Sequence, residues 1–550
     1  MNKHLIALSC CLLCIQVTAQ NKINPVIEVE RLYEADLMDV SKPLLGTRVP
    51  DSLRTYNTSF QYSIFDKPLN NLYAFAPLPG ASLAPETNRP KQHGFVRLAM
   101  AYPIMPEGDL HLQAPLGRQT FLGLNASHRS FWGELPVTDG VKEKQQRMTN
   151  IGSLRLEHHN QLNVQYMETD FESLYHTFVL PATDKQRYFA GGGHLGLYST
   201  DTTARELHYA LDLGYRHAQN NLSLAGLDNN LRENRLDIYS LAGYNFHRSL
   251  SFNLEGKVRF VSNRWSTDGE SASHGSASLL PHVIWSGERF LLSGGTRLSL
   301  LMEREDKSTF IIYPWAKAHF QLIPDNLVVY AQVDASQEVN SYQERLRENP
   351  WLTGPADTTS LLPYAPLTAE AGFNGTLADR FNYRVYVAYR HTDRQYFYDR
   401  VRDGLDATLP QTAVQYRLVY DNETRYGIGG SLGYQNKSFE GYVSANWYKY
   451  VMDSSLPPYY KPSFEAAAHL RYNWRERIVL SMEAKYRSSV ATSQEPLPAC
   501  THLSAQAEWV FNRHFSAFLY GDNLLNQNIG IYQFYRRPGI QAGAGITVRF

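Results

Sequence analysis

The chain of 550 residues balances 53 Lys+Arg against 53 Asp+Glu, so there is neither the basic excess that a nucleic-acid partner would ask for nor an acidic tail. It carries 36 Tyr, 25 Phe and 8 Trp yet stays polar on average, and past the first residues it contains no apolar run long enough for a helical membrane span. Three of its four cysteines (Cys10, Cys11 and Cys14) fall in the first 14 residues.

At the amino terminus Asn2, Lys3 and His4 precede an apolar run from Leu5 to Val17, and Val17-Thr18-Ala19 offers a small-residue cleavage site. Residues 1–19 therefore read as an export signal. Its removal leaves Cys500 alone, which excludes an intrachain disulfide or a cysteine metal cluster, and no cofactor is expected. Residues 20–93 form a Pro-rich extended tail whose apolar residues, among them Leu44, Phe60, Ile64, Leu72 and Phe75, suggest packing against a lumen wall or a partner.

From residue 94 the pattern changes to strict alternation. Leu250, Phe252, Leu254, Val258 and Phe260 alternate with Ser251, Asn253, Glu255, Lys257 and Arg259, and Ile478, Leu480, Met482, Ala484 and Tyr486 alternate with Ser481, Glu483, Lys485 and Arg487. Tyr426, Ile428, Leu432 and Tyr434 oppose Glu423, Arg425, Ser431 and Gln435. Aromatics at the ends of apolar stripes fit interfacial girdles, and charges on the other face fit a polar lumen. The closing stretch sets Ile540, Ala542, Ala544, Ile546, Val548 and Phe550 against Gln541, Gly543, Gly545, Thr547 and Arg549. In lipid an open sheet edge is prohibitive, so this last strand must pair with the first.

Short turns at 247–248, 287–288, 324–326, 379, 436–437, 475–476 and 512–513 all fall at one end. Longer connections are expected at 131–147, 170–186, 218–231, 263–274, 337–365, 392–422, 451–461, 489–500 and 523–537. The fold class is therefore all-β: a transmembrane antiparallel barrel of about 22 strands over residues 94–550, with 20 as the alternative if the weak strand near 108–114 is absent. Such a barrel lies in the outer membrane of a Gram-negative bacterium. Its partners are outer-membrane lipids and the barrel assembly machinery, which would read Ile546, Val548 and Phe550. A surface lipoprotein or periplasmic partner stays open.

The stretch Leu519-Tyr520-Gly521-Asp522-Asn523-Leu524-Leu525-Asn526-Gln527, followed by Pro538-Gly539 and the terminal aromatic strand, resembles the end of TonB-dependent receptor barrels. Gly94-Phe95-Val96-Arg97-Leu98, Asn125-Ala126-Ser127-His128-Arg129-Ser130, Asn340-Ser341-Tyr342 and Glu348-Asn349-Pro350-Trp351 resemble plug-poor relatives of those receptors in Bacteroidota. The resemblance implies a plug domain and a box gripped by TonB. Residues 20–93 are too few and too Pro-rich for a full plug, and Val26, Ile27 and Val29 make only a weak TonB-box-like hexamer.

The residues expected to face the lumen, for structure or selectivity, are Glu255, Lys257, Arg259, Arg297, Arg425, Arg471, Glu483, Lys485 and Arg487. No catalytic site is expected. His158 and His159 are neighbours on a strand, so their imidazoles diverge rather than converge on a metal. His128 with Ser127 and Ser130 is the one serine–histidine grouping suited to a lipid-facing hydrolase, and closeness in a strand is expected to separate those side chains. Gly191-Gly192-Gly193 reads as a bend in the wall. The function expected is a conduit for polar solutes, the alternative being a non-conducting scaffold with its lumen filled by tail and loops. Tyr342, Trp351, Tyr364, Tyr396, Phe397, Tyr398, Tyr459 and Tyr460 would then bind surface ligands or pack one another.

Overall fold

A computed structural model describes residues 93–550 apart from 139–140, 180–184, 201–206, 225–226, 266–270, 304–307, 325, 353–361, 379 and 402–413. The expected export signal, the tail and the TonB-box-like Val26, Ile27 and Val29 lie outside the described residues.

The strands are β1 (Gly94–Tyr102), β2 (Met105–Pro115), β3 (Thr120–Thr138), β4 (Val141–His159), β5 (Asn163–Thr177), β6 (Lys185–Ser199), β7 (Leu207–Leu224) and β8 (Leu227–His247). They continue with β9 (Leu250–Trp265), β10 (Ser271–Ser286), β11 (Phe290–Met302), β12 (Ser308–Ile323), β13 (Leu327–Gln337), β14 (Tyr364–Leu377), β15 (Phe381–Arg400) and β16 (Tyr416–Gln435). Next come β17 (Phe439–Met452), β18 (Phe464–Trp474), β19 (Ile478–Arg487), β20 (Cys500–Val510) and β21 (Phe515–Asp522). A small hairpin, β22 (Gly530–Tyr532) and β23 (Tyr535–Arg536), precedes β24 (Gln541–Arg549), and one short helix, α1 (Tyr342–Glu348), lies between β13 and β14.

Each barrel strand pairs antiparallel with its neighbour, and β24 closes the ring between β21 and β1, giving a 22-stranded sheet. The closing seam runs from Phe95↔Arg549 to Tyr102↔Ala542, and the Phe550 carbonyl accepts the amides of His93 and Gly94. Closure satisfies every edge, which lipid demands. The alternation holds there: Ile546, Val548 and Phe550 are 41%, 39% and 46% exposed, whereas Thr547 and Arg549 are buried. Strand β2 is longer than the sequence suggests, so the count is 22 rather than 20.

The turn end also agrees with expectation, with tight connections at 248–249, 287–289, 436–438 and 475–477. The other end does not. Much of the expected loops at 131–147, 170–186, 218–231, 263–274 and 392–422 is strand, because β3, β4, β7, β8, β15 and β16 run 18–21 residues. About 9–11 residues of tilted strand cross a bilayer, so these hairpins continue beyond it. Past the hydrocarbon, ladder pairing persists but the lipid no longer imposes apolar alternation, so the extensions carried no periodic signal.

Within the terminal stretch, Asn523 and Asn526 both have positive φ (48° and 49°), a conformation asparagine tolerates better than most residues. The Asn523 side chain donates to the carbonyls of Gln527 and Pro538, fixing the connection between β21 and β24. On β6, a Cβ at Gly192 would come within 2.7 Å of the Tyr215 carbonyl, so that glycine permits close approach of β7.

Candidate functional site

Ion pairs line the inner faces of the strands, and a buried aromatic cluster gathers at the loop end. On the wall, Lys257 pairs with Glu255 at 2.6 Å, Lys485 with Glu483 at 2.8 Å, and Arg297 with Asp334 at 3.3 Å. Arg425 lies 5.4 Å from the Tyr448 ring centroid, and Arg471 is buried. Arg487 donates to the carbonyls of Pro498 and Gly530, fastening two loops to the wall. Arg259 reaches both Asp237, at 2.5 Å, and Glu344 of α1, at 3.2 Å.

That last contact is one of several by which residues 338–352, after β13, pack against the inner faces of the strands. Glu233 of β8 accepts Ser341 Oγ at 2.6 Å, the Tyr342 amide at 2.7 Å and the Gln343 amide at 3.4 Å. A wall carboxylate therefore caps a helix whose own N-cap serine makes no side-chain cap, satisfying amides that would otherwise be orphaned. Glu172 of β5 receives Arg347, Arg216 and Gln343, and Arg235 joins Arg259 on Glu344. The opposite side of the helix meets β15: the Arg345 guanidinium lies 3.9 Å over the Tyr396 ring and pairs with Glu338 and Glu348, while Tyr396 and Tyr398 hydroxyls donate to Glu348. So α1 is a strut across the lumen between β5–β9 and β15.

Trp351 follows the strut, fully buried, with Tyr416, Tyr460, Tyr532 and Tyr535 around it. The Tyr416 amide donates to the Trp351 carbonyl, and Tyr535 OH donates to the Val414 carbonyl. This cluster also takes Val137, Tyr188, Ala218, Leu231, Ala272 and Leu418 from the walls. The loop aromatics thus pack one another. Tyr342, Trp351, Tyr396, Phe397, Tyr398, Tyr459 and Tyr460 are all buried, and Tyr364 is half-buried. Enclosure in this mass pushes the Glu348 carboxyl above its ordinary range, against the pull of Arg345.

The histidine groupings separate cleanly. His159 pairs with Glu157, while His158 turns to Thr120, so the two imidazoles diverge as adjacency on a strand requires. Ser127 hydrogen-bonds to Asp109 on the inner face, away from His128. Ser130 corrects the expectation: two residues along a strand restore the same face, and its hydroxyl lies 3.1 Å from His128 Nε2. Asn150 Oδ1 sits 2.6 Å from the other ring nitrogen.

No family model matches the chain, and no curated protein matches it in sequence. Its architecture is that of solved TonB-dependent receptors. The FrpB iron transporter from Neisseria meningitidis superposes with a TM-score of 0.66 at 9% identity, over 84% of this chain and 82% of that one. The copper transporter OprC gives 0.66 at 10% identity over 84% and 80%, and the siderophore receptor PirA from Pseudomonas aeruginosa 0.59 at 12% over 84% and 82%. At such identity the likeness is one of fold. The chain therefore shares with these receptors the fold of a closed 22-stranded antiparallel barrel whose apolar belt is built as outer-membrane barrels require.

Proposed function

We propose that the protein is a loop-gated conduit for uptake of polar solutes across the outer membrane. What supports this reading is a charged inner wall together with a buried aromatic cluster at the loop end that draws on connections, chiefly residues 338–352 and 523–540, and not on the barrel strands alone. A scaffold with a permanently filled lumen has no need for inner-face charges such as Lys257 and Lys485, whose side chains stay 48% and 37% exposed. In this reading Glu255, Lys257, Arg259, Arg297, Arg425, Arg471, Glu483, Lys485 and Arg487 set the field through which solutes pass. Ile546, Val548 and Phe550, on the lipid face of the last strand, serve recognition by the assembly machinery.

Single-channel conductance in a planar bilayer tests it. The intact barrel is expected to conduct little, and one with residues 338–363 replaced by a short glycine–serine link is expected to conduct steadily. Silence from both would sink the conduit in favour of the scaffold.

A further inference from the structure

The Ser130, His128 and Asn150 side chains form a chain of contacts that the conduit does not use. Ser130 Oγ lies 3.1 Å from His128 Nε2, and His128 Nδ1 lies 2.6 Å from Asn150 Oδ1. With Asn150 accepting the Nδ1 proton, Nε2 is left with a lone pair facing the serine hydroxyl. This is the geometry in which a base activates a nucleophile and a third group fixes the tautomer. The Ser130 hydroxyl has a second acceptor, the Pro106 carbonyl at 3.2 Å, and Ser130 is buried in this resting arrangement.

The face decides what such a group could act on. Directly opposed residues in an antiparallel ladder share a face. His128 opposes Gly108 on one side and Asn150 on the other, and Gly108 opposes Leu98, which is 53% exposed on the lipid side. Asn150 has the parity of the exposed Leu154 and Leu156, and Ser130 that of the exposed Trp132. By contrast Ser127 and Arg129 hold Asp109 on the inner face. All three residues therefore lie on the lipid side of the wall, His128 and Asn150 partly exposed there and Ser130 covered in this arrangement.

Depth narrows it further. Ser130 is the eleventh residue of β3 counted from Thr120 at the turn end. About 9–11 residues of tilted strand cross the hydrocarbon, which places Ser130 at its far boundary. Trp132 and the strongly exposed Tyr102 lie just beyond, as interfacial aromatics do. Acyl ester bonds of membrane lipids lie at that boundary.

We infer that Ser130, His128 and Asn150 form an acyl-ester hydrolase site for membrane lipids on the outer wall of the barrel. Ser130 Oγ attacks the ester carbonyl carbon while His128 Nε2 takes the hydroxyl proton. Collapse of the tetrahedral adduct breaks the bond to the alcohol oxygen of the lipid, which leaves with the proton returned by His128. Water, deprotonated by His128, then cleaves the acyl-serine, releasing the fatty acid and restoring Ser130. Asn150 is a positioning residue, acting through the imidazole.

The test uses the full-length protein in detergent micelles. Hexadecylfluorophosphonate should add covalently to Ser130, located by mass spectrometry, and Ser130→Ala should abolish the adduct. Fatty-acid release is followed in parallel from phosphatidylethanolamine vesicles and from lipopolysaccharide, so that the active arm identifies the source of the ester. Ser130→Ala and His128→Ala should each lower release by about 100-fold or more. Asn150→Ala should lower it, and Asn150→Asp, which keeps the acceptor, should restore it. Ser127→Ala, on the inner face, should leave it unchanged. Absence of both adduct and release in a barrel that retains its folded, heat-modifiable gel migration overturns the inference, as does undiminished release by Ser130→Ala.

Discussion

Trp351 lies flat against Tyr535, ring centroids 3.6 Å apart and planes 17° from parallel, although the two residues belong to different connections of the barrel. Tyr532 meets the same indole edge-on at 6.0 Å, and Arg147 of β4 lies 4.9 Å from its centroid. One buried side chain therefore joins the connection after β13, the connection before β24 and the wall. Trp351→Ala should remove about 3–5 kcal/mol of packing, as large-to-small changes of buried Trp do, and that loss falls on the loop-end cluster, the seal of the proposed conduit, rather than on the barrel ladder. The expected result is a barrel of unchanged heat-modifiable migration with raised single-channel conductance. Conductance unchanged from the native chain would show that Trp351 packs beside the path and not across it.

Glu233 should matter more to the strut than any residue within it. Its carboxylate accepts three donors at the start of α1, and hydrogen bonds to a charged group contribute about 1.5–3 kcal/mol each. Glu233→Ala is expected to raise amide exchange across residues 341–352 by at least tenfold while β8 itself stays protected. Glu172→Ala releases the other wall contact of the same helix, through Arg347. Because both variants loosen one element, their effects on exchange should fall short of additive. Full additivity would mean that the two carboxylates hold independent segments.

The barrel was legible in the sequence because lipid forces a period of two on every crossing strand, and Phe252, Phe260, Ile428 and Tyr434 display that period without help from distant residues. The strut was not legible. Ser341 finds Glu233 across 108 positions and Tyr532 reaches the Glu348 carbonyl across 184, and no local pattern encodes such pairings. The aromatics that build the loop-end cluster were visible as loop residues, but the sequence could not separate packing from ligand binding, since both call for the same rings. At β3 the information was present: the period of two that parts Ser127 from His128 also unites His128 with Ser130.

Acidity should tighten the seal. Burial pushes the Glu348 carboxyl above its ordinary value of 4.5, opposed by Arg345 and Lys461 and aided by Glu338, with Tyr396 and Tyr398 hydroxyls on the carboxylate. A carboxyl whose folded pKa exceeds its unfolded one favours the closed form fully below about pH 4.5, and that contribution is lost as pH rises through the raised value. Conductance events should therefore be rarer at pH 5 than at pH 8, and Glu348→Gln, neutral at both, should flatten that dependence. A slope that survives Glu348→Gln would assign the titration to another group.

Ile428 of β16 opposes Val387 of β15, and both are more than half exposed on the face that Tyr426 and Tyr434 bracket. Placed between two interfacial tyrosines, Ile428 meets the hydrocarbon interior. An arginine there should cost about 2–4 kcal/mol, the penalty for a cation near the midplane of a barrel's lipid face. Ser431, three residues on, has the opposite parity and faces the lumen, where a charged side chain keeps its water. Refolding equilibria in urea, measured into phospholipid vesicles, should show Ile428→Arg strongly destabilised and Ser431→Arg within about 1 kcal/mol of the native chain. Equal losses for the two would mean that water wets both faces of this strand. The membrane belt would then have to be redrawn around other residues of β16.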